Sequence, residues 1–488
     1  MDASLTLSVF QQLDRLIGKM KNETERRREF LALIPEDYRL SATNLIHYLT
    51  LRNEDIRDLQ DELHVLGLSS LASSESHILS QIQSIMKRLG KEFPEDEVEA
   101  CTYDYSLAKM EKEQRNLFGN KMEDGIPYIM VTFDSSFSEN YAIIKTLLQN
   151  GMNVARINCA HDNEAVWAQM IQLIRRASQH TGLDCKVYMD LAGPKIRTKL
   201  IGRGMDKGKV KIDEGELIWL AESLPSGLEE QVVISPNEKD VLLHVEEGHR
   251  VYLDDGIIKG IVEKKEKDKL GVRITRVSSA KKQIKNDKGI NFPDSELAIA
   301  PLTSFDISCL PFICNHADMV GYSFVRYASD LKELQLKLQH FSSDPPDIII
   351  KIETPQAVKN LPSLLLQGMQ SGSCGVMIAR GDLAVEIGFE RMGEIQEEIL
   401  WICESAHIPV IWATQVLETL NKSGVATRSE ITDASHAALA ECVMVNKGDH
   451  TIEVIETLRD ILLRTGGHHS KKRYIFRPLR IAQRFMNH

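Results

Sequence analysis

The sequence predicts an α/β protein: a (β/α)8 TIM barrel with an inserted β-barrel lid domain after its third strand and an all-α module before its first. Three observations support this fold class. From Pro127 onward, short β-branched runs alternate with amphipathic helical stretches. A turn-rich segment of alternating residues interrupts that pattern between Leu200 and Pro301. Ahead of Pro127 the apolar residues recur mostly with a helical period.

The predicted domain boundaries follow these changes of pattern. Ser41 stands ahead of the periodic run ATNLIHYLTLR and is predicted to cap a helix of the first module. The predicted units are a helical module with its linker, a first barrel part, the lid, a second barrel part and a basic tail, at residues 1–115, 116–199, 200–300, 301–466 and 467–488.

Eight predicted strands are short and largely apolar, which is typical of parallel strands buried on both faces. In chain order they read PYIMVTF, NVARIN, CKVYMD, DMVGYSF, DIIIKIE, GVMIAR, PVIWATQ and CVMVNK. Helical stretches such as ENYAIIKTLLQNG and MGEIQEEILWICESAH lie between most of them. Eight strands separated by helices are the number that closes a barrel.

Composition limits the kinds of molecule that this chain is expected to bind. The formal net charge is −11, which argues against nucleic acid because a phosphate backbone requires a basic face. No run approaches the ~18 apolar residues of a membrane span, and the first residues lack the pattern of a signal peptide. The eight cysteines form no CxxC pair, which indicates reduced thiols and a cytoplasmic protein.

Two neighbouring strands end in residues that can carry phosphate chemistry. The run IIIKIE ends with Lys351 and Glu353, and VMIARGD ends with Arg380 and Asp382. Catalytic residues of a parallel barrel lie at the carboxyl ends of its strands. A carboxylate from each of two strands, with a lysine between them, can hold a divalent ion against an anionic substrate.

The other strands also end in polar residues. Each residue alone has an ordinary structural explanation, such as a surface ion pair or strand packing. Six strands that finish in polar groups on one rim instead predict a functional site. The additional candidates are Arg156, Asn158, His161, Asp190, Lys195, Arg197, Ser323, Arg326, Thr414 and Gln415.

Eight ordered blocks resemble the signature blocks of the pyruvate kinase family. They are NVARINCAHD, MDLAGPKIRT, VYLDDGIIKG, KGINFP, SFVRYASD, IIIKIETPQAV, VMIARGDLAVEIG and IWATQVLETL. The resemblance covers roughly Pro127 to Thr465, including the inserted segment, which in that family is a lid over the nucleotide. It implies phosphoryl transfer between phosphoenolpyruvate and a nucleoside diphosphate, with Mg²⁺ or Mn²⁺ as cofactor.

The resemblance also implies roles for individual residues. Glu353 and Asp382 would bind the divalent ion, Lys351 would lie beside the transferring phosphoryl group, and Arg156 would contact that group from the other side. Thr414 would lie on the face where the enolate is protonated. Arg380 joins this catalytic set, and the remaining implied positions are Ser323, Gly381 and Asp382 for substrate and Thr132, His161, Arg197, Asp255 and Lys288 for nucleotide.

One departure from the family concerns the monovalent cation. Asn158 and Asp190 stand at two of its ligand positions, but Ala160 replaces the serine at a third. Lys195 stands where potassium-dependent members carry glutamate. Lys195 lies in the same strand-end block as Asp190, and an ammonium can supply a fixed positive charge. We therefore expect Lys195 to hold the acidic pair that would otherwise need a metal ion, and we expect potassium not to be required.

Other departures lie on the nucleotide side and after the barrel. CVMVNKGDH replaces the usual SGETAKG, and VTFDSSFS replaces a glycine-proline turn. The family's C-terminal regulatory domain has no counterpart, so we expect no sugar-phosphate effector site and an oligomer unlike that of its usual members. The N-terminal module is a candidate for a protein contact.

Three functions remain open at this point. The first is a phosphotransferase that uses phosphoenolpyruvate or a close relative. The second is a catalytically weakened binding or regulatory protein, and the third is a Mg²⁺-dependent lyase acting on a 2-oxo acid. The inserted lid favours the phosphotransferase over the lyase, because a lyase that acts on a 2-oxo acid needs no domain to cover a nucleotide. Lys351, Glu353, Asp382 and Arg156 are all present, which disfavours the second.

Overall fold

The computed structural model describes residues 3–278, 282–297, 299–466, 469–470 and 473–474. Most of the predicted basic tail at 467–488 therefore lies outside the described residues. Within the described ranges, no helix is both long enough and apolar enough to cross a membrane.

In the described residues, six α-helices form the N-terminal module. They are α1 (Ala3–Arg26), α2 (Arg28–Ala32), α3 (Glu36–Arg52), α4 (Arg57–Val65), α5 (Ile78–Arg88) and α6 (Tyr103–Phe118). The apolar faces of α1, α3, α4 and α5 share a core that includes the fully buried Val9, Leu13 and Leu63. Because α3 begins directly after Pro35, Ser41 lies inside that helix, and the prediction that Ser41 caps it is wrong.

The first part of the barrel alternates strands with helices. Its elements are β1 (Tyr128–Phe133), α7 (Tyr141–Gln149), β2 (Met152–Asn158), α8 (Glu164–Thr181) and β3 (Lys186–Asp190). Asn140 and Asn163 cap the two helices by accepting hydrogen bonds from backbone amides of the first turn. Each cap thus marks where the loop after a strand ends and the helix begins.

The inserted segment after β3 is a separate β domain, as predicted. Its strands are β4 (Thr198–Leu200), β5 (Lys209–Lys211), β6 (Leu217–Ala221), β7 (Val233–Pro236), β8 (Arg250–Leu253), β9 (Ile258–Lys265), β10 (Lys269–Val277), β11 (Gln283–Lys285) and β12 (Ile290–Asn291). Seven of them form one sheet in the order β12-β8-β9-β10-β6-β7-β4, and β11 pairs with β5. We call this domain the lid.

The chain then returns to the barrel. The second part contains α9 (Ser304–His316), β13 (Met319–Tyr322), α10 (Ala328–Phe341), β14 (Asp347–Ile352), α11 (Pro355–Lys359), α12 (Leu361–Gly368), β15 (Cys374–Ala379), α13 (Arg380–Ile387), α14 (Met392–Ser405), β16 (Val410–Ala413), α15 (Glu418–Ser423), α16 (Arg428–His436), β17 (Cys442–Val445) and α17 (Thr451–Gly466).

Eight parallel strands close the barrel in the order β1-β2-β3-β13-β14-β15-β16-β17. Strands that are consecutive in the barrel sequence are neighbours in space, and the lid leaves between β3 and β13 without changing that order. The predicted fold class is confirmed. Closure brings all eight carboxyl ends to one rim, where the candidate residues meet.

The end of α6 contributes to the interior of the barrel. Leu117 and Phe118 are fully buried and belong to one core cluster with inward-facing residues of the barrel strands, such as Met130 and Ile349. The module is therefore joined to the barrel by a shared hydrophobic core.

A second contact joins α3 to α14. The Asn44 side chain donates a hydrogen bond to the Ser405 carbonyl at 2.8 Å. His407 Nε2 donates to the Ser76 carbonyl at 2.8 Å, so its Nδ1 accepts the hydrogen bond from the Ser41 hydroxyl at 2.8 Å. The buried polar groups of this interface are thus paired with one another.

Candidate active site

The carboxylate of Asp190 is the centre of the polar rim and is only 1% exposed. Arg156, at the end of the neighbouring β2, donates to it through Nε at 3.1 Å and also through Nη2. Lys351 Nζ lies 3.2 Å from the other oxygen, and the Tyr188 hydroxyl donates to that oxygen at 3.0 Å. A carboxylate so deeply buried is tolerated because two cations and a hydroxyl satisfy it.

Lys351 connects Asp190 to the next acid along the rim. Its ammonium lies 3.0 Å from Glu353 Oε1 and donates to Ser323 Oγ at 2.6 Å. The second oxygen of Glu353 accepts a hydrogen bond from the Phe324 amide at 2.7 Å. We call Arg156, Asp190, Ser323, Lys351 and Glu353 the rim cluster.

The pKa values of the cluster follow from this burial and pairing. Burial raises the pKa of Asp190, but Lys351 and Arg156 lower it further, so the net shift is downward. Burial lowers the pKa of Lys351, and the two acids more than reverse that effect. The pKa of Glu353 is raised by burial and by Asp382 against the opposing effect of Lys351. Lys351 is therefore held in its charged form.

A second ion pair lies on the same rim. Lys195 Nζ donates to Asp382 Oδ1 at 2.7 Å and lies 3.8 Å from Asp255 of the lid. Burial lowers the pKa of Lys195, but Asp382, Asp255 and Glu353 together raise it by more, so this ammonium also stays charged. The partners of Lys195 are thus Asp382 and Asp255, and its predicted role in place of a monovalent cation stays a prediction.

Thr414 lies beside the turn that opens α13. Its hydroxyl accepts a hydrogen bond from the Gly381 amide at 2.9 Å. Thr414, Gln415 and Leu417 all have positive φ, at 66°, 58° and 49°. Such angles are unfavourable for a β-branched residue, and clusters of them are found where a site requires a particular backbone path.

Arg380 has a different environment from the one that its predicted catalytic role implies. Its nitrogens donate to the carbonyls of Ala413 and Thr414 and to both carboxylate oxygens of Asp433. Its guanidinium also stacks over Trp412, 4.6 Å from the ring centroid. These contacts tie Arg380 to the end of β16 and to α16, and its catalytic role stays a prediction.

Two carboxylates of the rim suit a hard divalent ion. Mg²⁺ takes oxygen ligands and commonly binds through one or two carboxylates together with substrate oxygens and water. Glu353 and Asp382 supply oxygen donors from adjacent strands, which fits that chemistry. Among the residues that the structure describes, no group of three His, Cys, Asp or Glu is arranged to hold a metal ion.

A cleft between the lid and the barrel adjoins the rim. It has a volume of about 90 Å³, and Lys195, Asp382 and Phe324 are part of its wall. The arrangement therefore combines buried cations, two acids with oxygen donors and a covered space. Fixed cations of this kind can neutralise negative charge on a bound group.

The chain was also compared with known proteins. The family model described as pyruvate kinase, barrel domain, matches residues 128–453. The chain belongs to the pyruvate kinase family. Pyruvate kinase of Staphylococcus saprophyticus is 30% identical over 331 residues, which are 66% of this chain and 54% of the relative. That of Geobacillus stearothermophilus is 32% identical over 335 residues, 67% of this chain and 55% of the relative. The matched region thus spans about half the length of these pyruvate kinases.

The positions that the pyruvate kinase resemblance assigns to the nucleotide are spread between barrel and lid. Thr132 accepts a hydrogen bond from Arg156 at 3.1 Å and so adjoins the rim cluster. His161 is exposed in the loop after β2. On the lid, Arg197 donates to the Asp287 carbonyl, and Lys288 lies 2.9 Å from Asp254. The structure brings only Thr132 and Asp255 next to the paired rim residues.

The residues at the positions that the resemblance assigns to a monovalent cation have partners within the chain. The Asn158 side-chain oxygen accepts a hydrogen bond from the Ala160 amide at 3.0 Å. Ala160 has no hydroxyl, and the carboxylate of Asp190 is already paired with Arg156 and Lys351. Asp190 therefore already has two side-chain cations as neighbours.

Sequence reasoning missed three contributors to this pyruvate kinase-like site. Tyr188 faces into the barrel, and Gly321 makes room for it, since a Cβ there would lie 1.9 Å from the Tyr188 hydroxyl oxygen. Asp433 is the partner of Arg380. Glu386 accepts a hydrogen bond from Asn291 of the lid at 2.6 Å. The tyrosine in the strand KVYMD was the available signal for the first, but no local pattern marked the others.

Proposed function

We propose that this chain transfers a phosphoryl group between phosphoenolpyruvate and a nucleoside diphosphate at the rim cluster. The observation that carries the proposal is the Lys351 ammonium, held within 3.2 Å of Asp190 and 3.0 Å of Glu353. Arg156 contacts the same Asp190 carboxylate. Two such fixed cations can bind an anionic substrate and neutralise the charge of a phosphoryl group in transfer.

Glu353 and Asp382 are the proposed ligands of a divalent ion, Mg²⁺ or Mn²⁺. When bound, such an ion would offset negative charge on the substrate. The hydrogen bond from the Phe324 amide orients the Glu353 carboxylate, and the Lys351 contact limits its movement further. Glu353 is thus held in place by two contacts, while Asp382 is paired with Lys195.

Substrate orientation is assigned to hydroxyls and amides at the ends of β13, β15 and β16. Ser323 fixes Lys351 and is itself fixed by donating to the Leu191 carbonyl at 2.6 Å. The Gly381 amide and the Thr414 hydroxyl are bonded to each other, which sets the position of both groups. We propose that Thr414 assists proton delivery to the enolate, directly or through water.

The acceptor is proposed to bind between the rim and the lid, with the lid as its cover. One observation favours a weakened binding protein as a second candidate. Asp134, at the end of β1, lies 3.3 Å from Lys447 after β17, so an acid and a base pair where the family has a turn bordering the nucleotide. Because this border differs from that of the family, the assay described below compares several nucleoside diphosphates as acceptors.

Potassium is proposed not to be required. The Asp190 carboxylate already has two cationic side chains, and the Asn158 oxygen is used within its own turn. Turnover in tetramethylammonium buffer is expected to equal turnover in potassium buffer, whereas strong stimulation by potassium would contradict the assignment.

All eight cysteines are free thiols in the structure, which supports the proposed cytoplasmic location. The division of the chain at the predicted boundaries and a partner contact through the N-terminal module are also proposals. Neither nucleic acid nor membrane is proposed as a partner, in view of the net charge of −11.

A coupled assay for pyruvate formation tests the proposed function. Phosphoenolpyruvate is supplied with Mg²⁺ and with ADP, GDP, UDP or no acceptor, and the wild type is compared with Glu353→Gln. Glu333→Gln is the matched control, because Glu333 pairs with Lys337 on the exposed side of α10. We expect acceptor-dependent pyruvate in the wild type and the control, and a loss of at least ~100-fold in Glu353→Gln.

The remaining outcomes separate the alternatives. Absence of pyruvate with every acceptor, in a protein that still binds phosphoenolpyruvate, would support the weakened binding protein. Pyruvate formed equally well without an acceptor would show hydrolysis rather than transfer. Equal turnover in Glu353→Gln and the wild type would remove Glu353 from the site.

A further inference from the structure

Lys195 lies at the boundary between the barrel and the lid, with one carboxylate on each side. Its ammonium is 2.7 Å from Asp382 Oδ1 on the barrel and 3.8 Å from Asp255 Oδ1 on the lid. The lysine and Asp382 side chains are 28% and 24% exposed, whereas Asp255 is 67% exposed. Asp382, the less exposed of the two acids, is thus also the proposed metal ligand.

Space for the lysine depends on a glycine of the lid. A Cβ at Gly289 would lie 3.2 Å from Lys195 Cε and 3.6 Å from Asp255 Oδ1. The Gly289 carbonyl accepts a hydrogen bond from the Asp254 amide, so this backbone and the Asp255 loop are joined. The lysine side chain therefore passes close to a lid segment that also positions its second acid.

We propose that Lys195 is the resident counter-cation of Asp382, that a divalent ion must displace it, and that the displaced ammonium moves to Asp255. This inference rests on the proposed role of Glu353 and Asp382 as metal ligands. The ammonium lies 2.7 Å from Asp382 Oδ1, so a divalent ion bound to that carboxylate would lie close to a second positive charge. Like charges at that separation also repel each other strongly in a shielded site.

The position of Asp255 gives the exchange a structural consequence. Transfer of the ammonium from Asp382 to Asp255 exchanges a contact within the barrel for one between barrel and lid. Metal binding and lid contact are then coupled, and the coupling acts equally in both directions. Lys195 would thus set the metal affinity of the site, because the apparent affinity falls with the fraction of Asp382 that the lysine occupies.

Mn²⁺ binding to the full chain without substrates tests this role. Free Mn²⁺ is measured by electron paramagnetic resonance for the wild type, Lys195→Met and Lys195→Arg. We expect Lys195→Met to bind Mn²⁺ about tenfold more tightly, since the competing charge is gone. Lys195→Arg keeps the charge and should restore an affinity close to that of the wild type. Lys265→Met removes a lid lysine that pairs with Glu246 and should change the affinity less than twofold.

Two further variants distinguish failure of this inference from failure of the metal site. If Asp382→Asn binds Mn²⁺ as well as the wild type, the proposed metal site is wrong. If Asp382→Asn loses binding but Lys195→Met leaves it unchanged or weakens it, the metal site stands and the counter-cation role is overturned. Asp255→Asn should weaken Mn²⁺ binding severalfold, because the displaced ammonium loses its acceptor, and an unchanged affinity would refute the transfer to Asp255. Thermal melting confirms that each variant is folded.

Discussion

Lys351 illustrates how a single buried residue can link structure to activity. Its ammonium contacts two acids and a serine, while its side chain is only 9% exposed. Removing one partner of a buried ion pair costs about 3–5 kcal/mol, because the remaining charge is left without compensation. In the proposed function the same charge acts on a phosphoryl group, so a change at Lys351 is expected to affect stability as well as activity.

Lys351→Met keeps the aliphatic stem and removes the charge. If Lys351 acts on the transferring phosphoryl group, kcat should fall by at least ~100-fold with a modest change in KM for phosphoenolpyruvate. Steady-state kinetics measure this, with Lys337→Met on α10 as the control for loss of an ordinary surface lysine. An increase in KM alone would identify Lys351 as a ground-state binding residue.

Asp347, at the start of β14, supplies a pH-dependent test. Burial, with a further contribution from Glu113, raises its pKa to about 7. The folded protein then holds a proton that the unfolded chain releases from about pH 4 upward. The free energy of unfolding therefore decreases as pH rises from about 4 to about 7, by up to roughly 4 kcal/mol.

Asp347→Asn should remove this loss of stability at higher pH. We expect it to raise the melting temperature at pH 8 and to change it little at about pH 3, where the carboxyl is protonated in the folded and in the unfolded state. Thermal melts at the two pH values measure the difference. Asp206→Asn, at an exposed position of the lid, is the control. Equal effects at both pH values would mean that Asp347 does not carry the pH dependence.

At the scale of elements, strand β12 is the lid segment whose contact with the barrel is best defined. Asn291 is 8% exposed and donates to Glu386 of α13 at 2.6 Å. Arg326 also donates to the carbonyls of Leu297 and Ile299, where the chain returns from the lid. The lid and the barrel have separate hydrophobic cores, so we expect these bonds to contribute to how easily the lid separates from the barrel.

Glu386→Ala should loosen this contact, because it leaves the Asn291 amide without its acceptor. We expect hydrogen exchange of the amides in β12 and β8 to become about tenfold faster, which corresponds to the loss of one such bond. Glu386→Gln retains an acceptor oxygen and should exchange at nearly the native rate. Equal exchange rates in all three proteins would show that the lid is held elsewhere.

At the scale of the whole molecule, the N-terminal module and the barrel are joined by packing. The end of α6 enters the core cluster of the barrel interior, and α3 docks on α14 through paired polar groups. A core shared between two units makes them unfold together more readily than a polar contact would. The module is therefore a structural part of the barrel as well as a candidate contact surface.

Leu117→Ala tests that connection. Leu117 is fully buried, and truncating such a leucine costs about 2–5 kcal/mol through lost contacts and the cavity left behind. Leu107→Ala, on the exposed face of the same helix at 48% exposure, should change the stability by no more than ~0.5 kcal/mol. Urea unfolding of both variants measures the difference, and similar small effects would exclude α6 from the core.

The sequence alone determined the family, the order of the eight strands, the insertion after β3 and the identity of most rim residues. It could do so because strand periodicity and strand-end residues are local properties, and parallel closure then places every carboxyl end on one rim. Lys351 and Glu353 lie two residues apart on one strand end, so their proximity also follows from local order.

Only the tertiary structure decided which charges pair. It joined Lys195 to Asp382, 187 residues away, rather than to Asp190, and it directed Arg380 toward Asp433. It also placed Ser41 inside α3, where its hydroxyl meets His407. The reason is physical: a charged or polar side chain at a barrel rim has several possible partners within reach, and the one selected depends on the depth of burial and on ångström-scale distances between elements far apart in the chain.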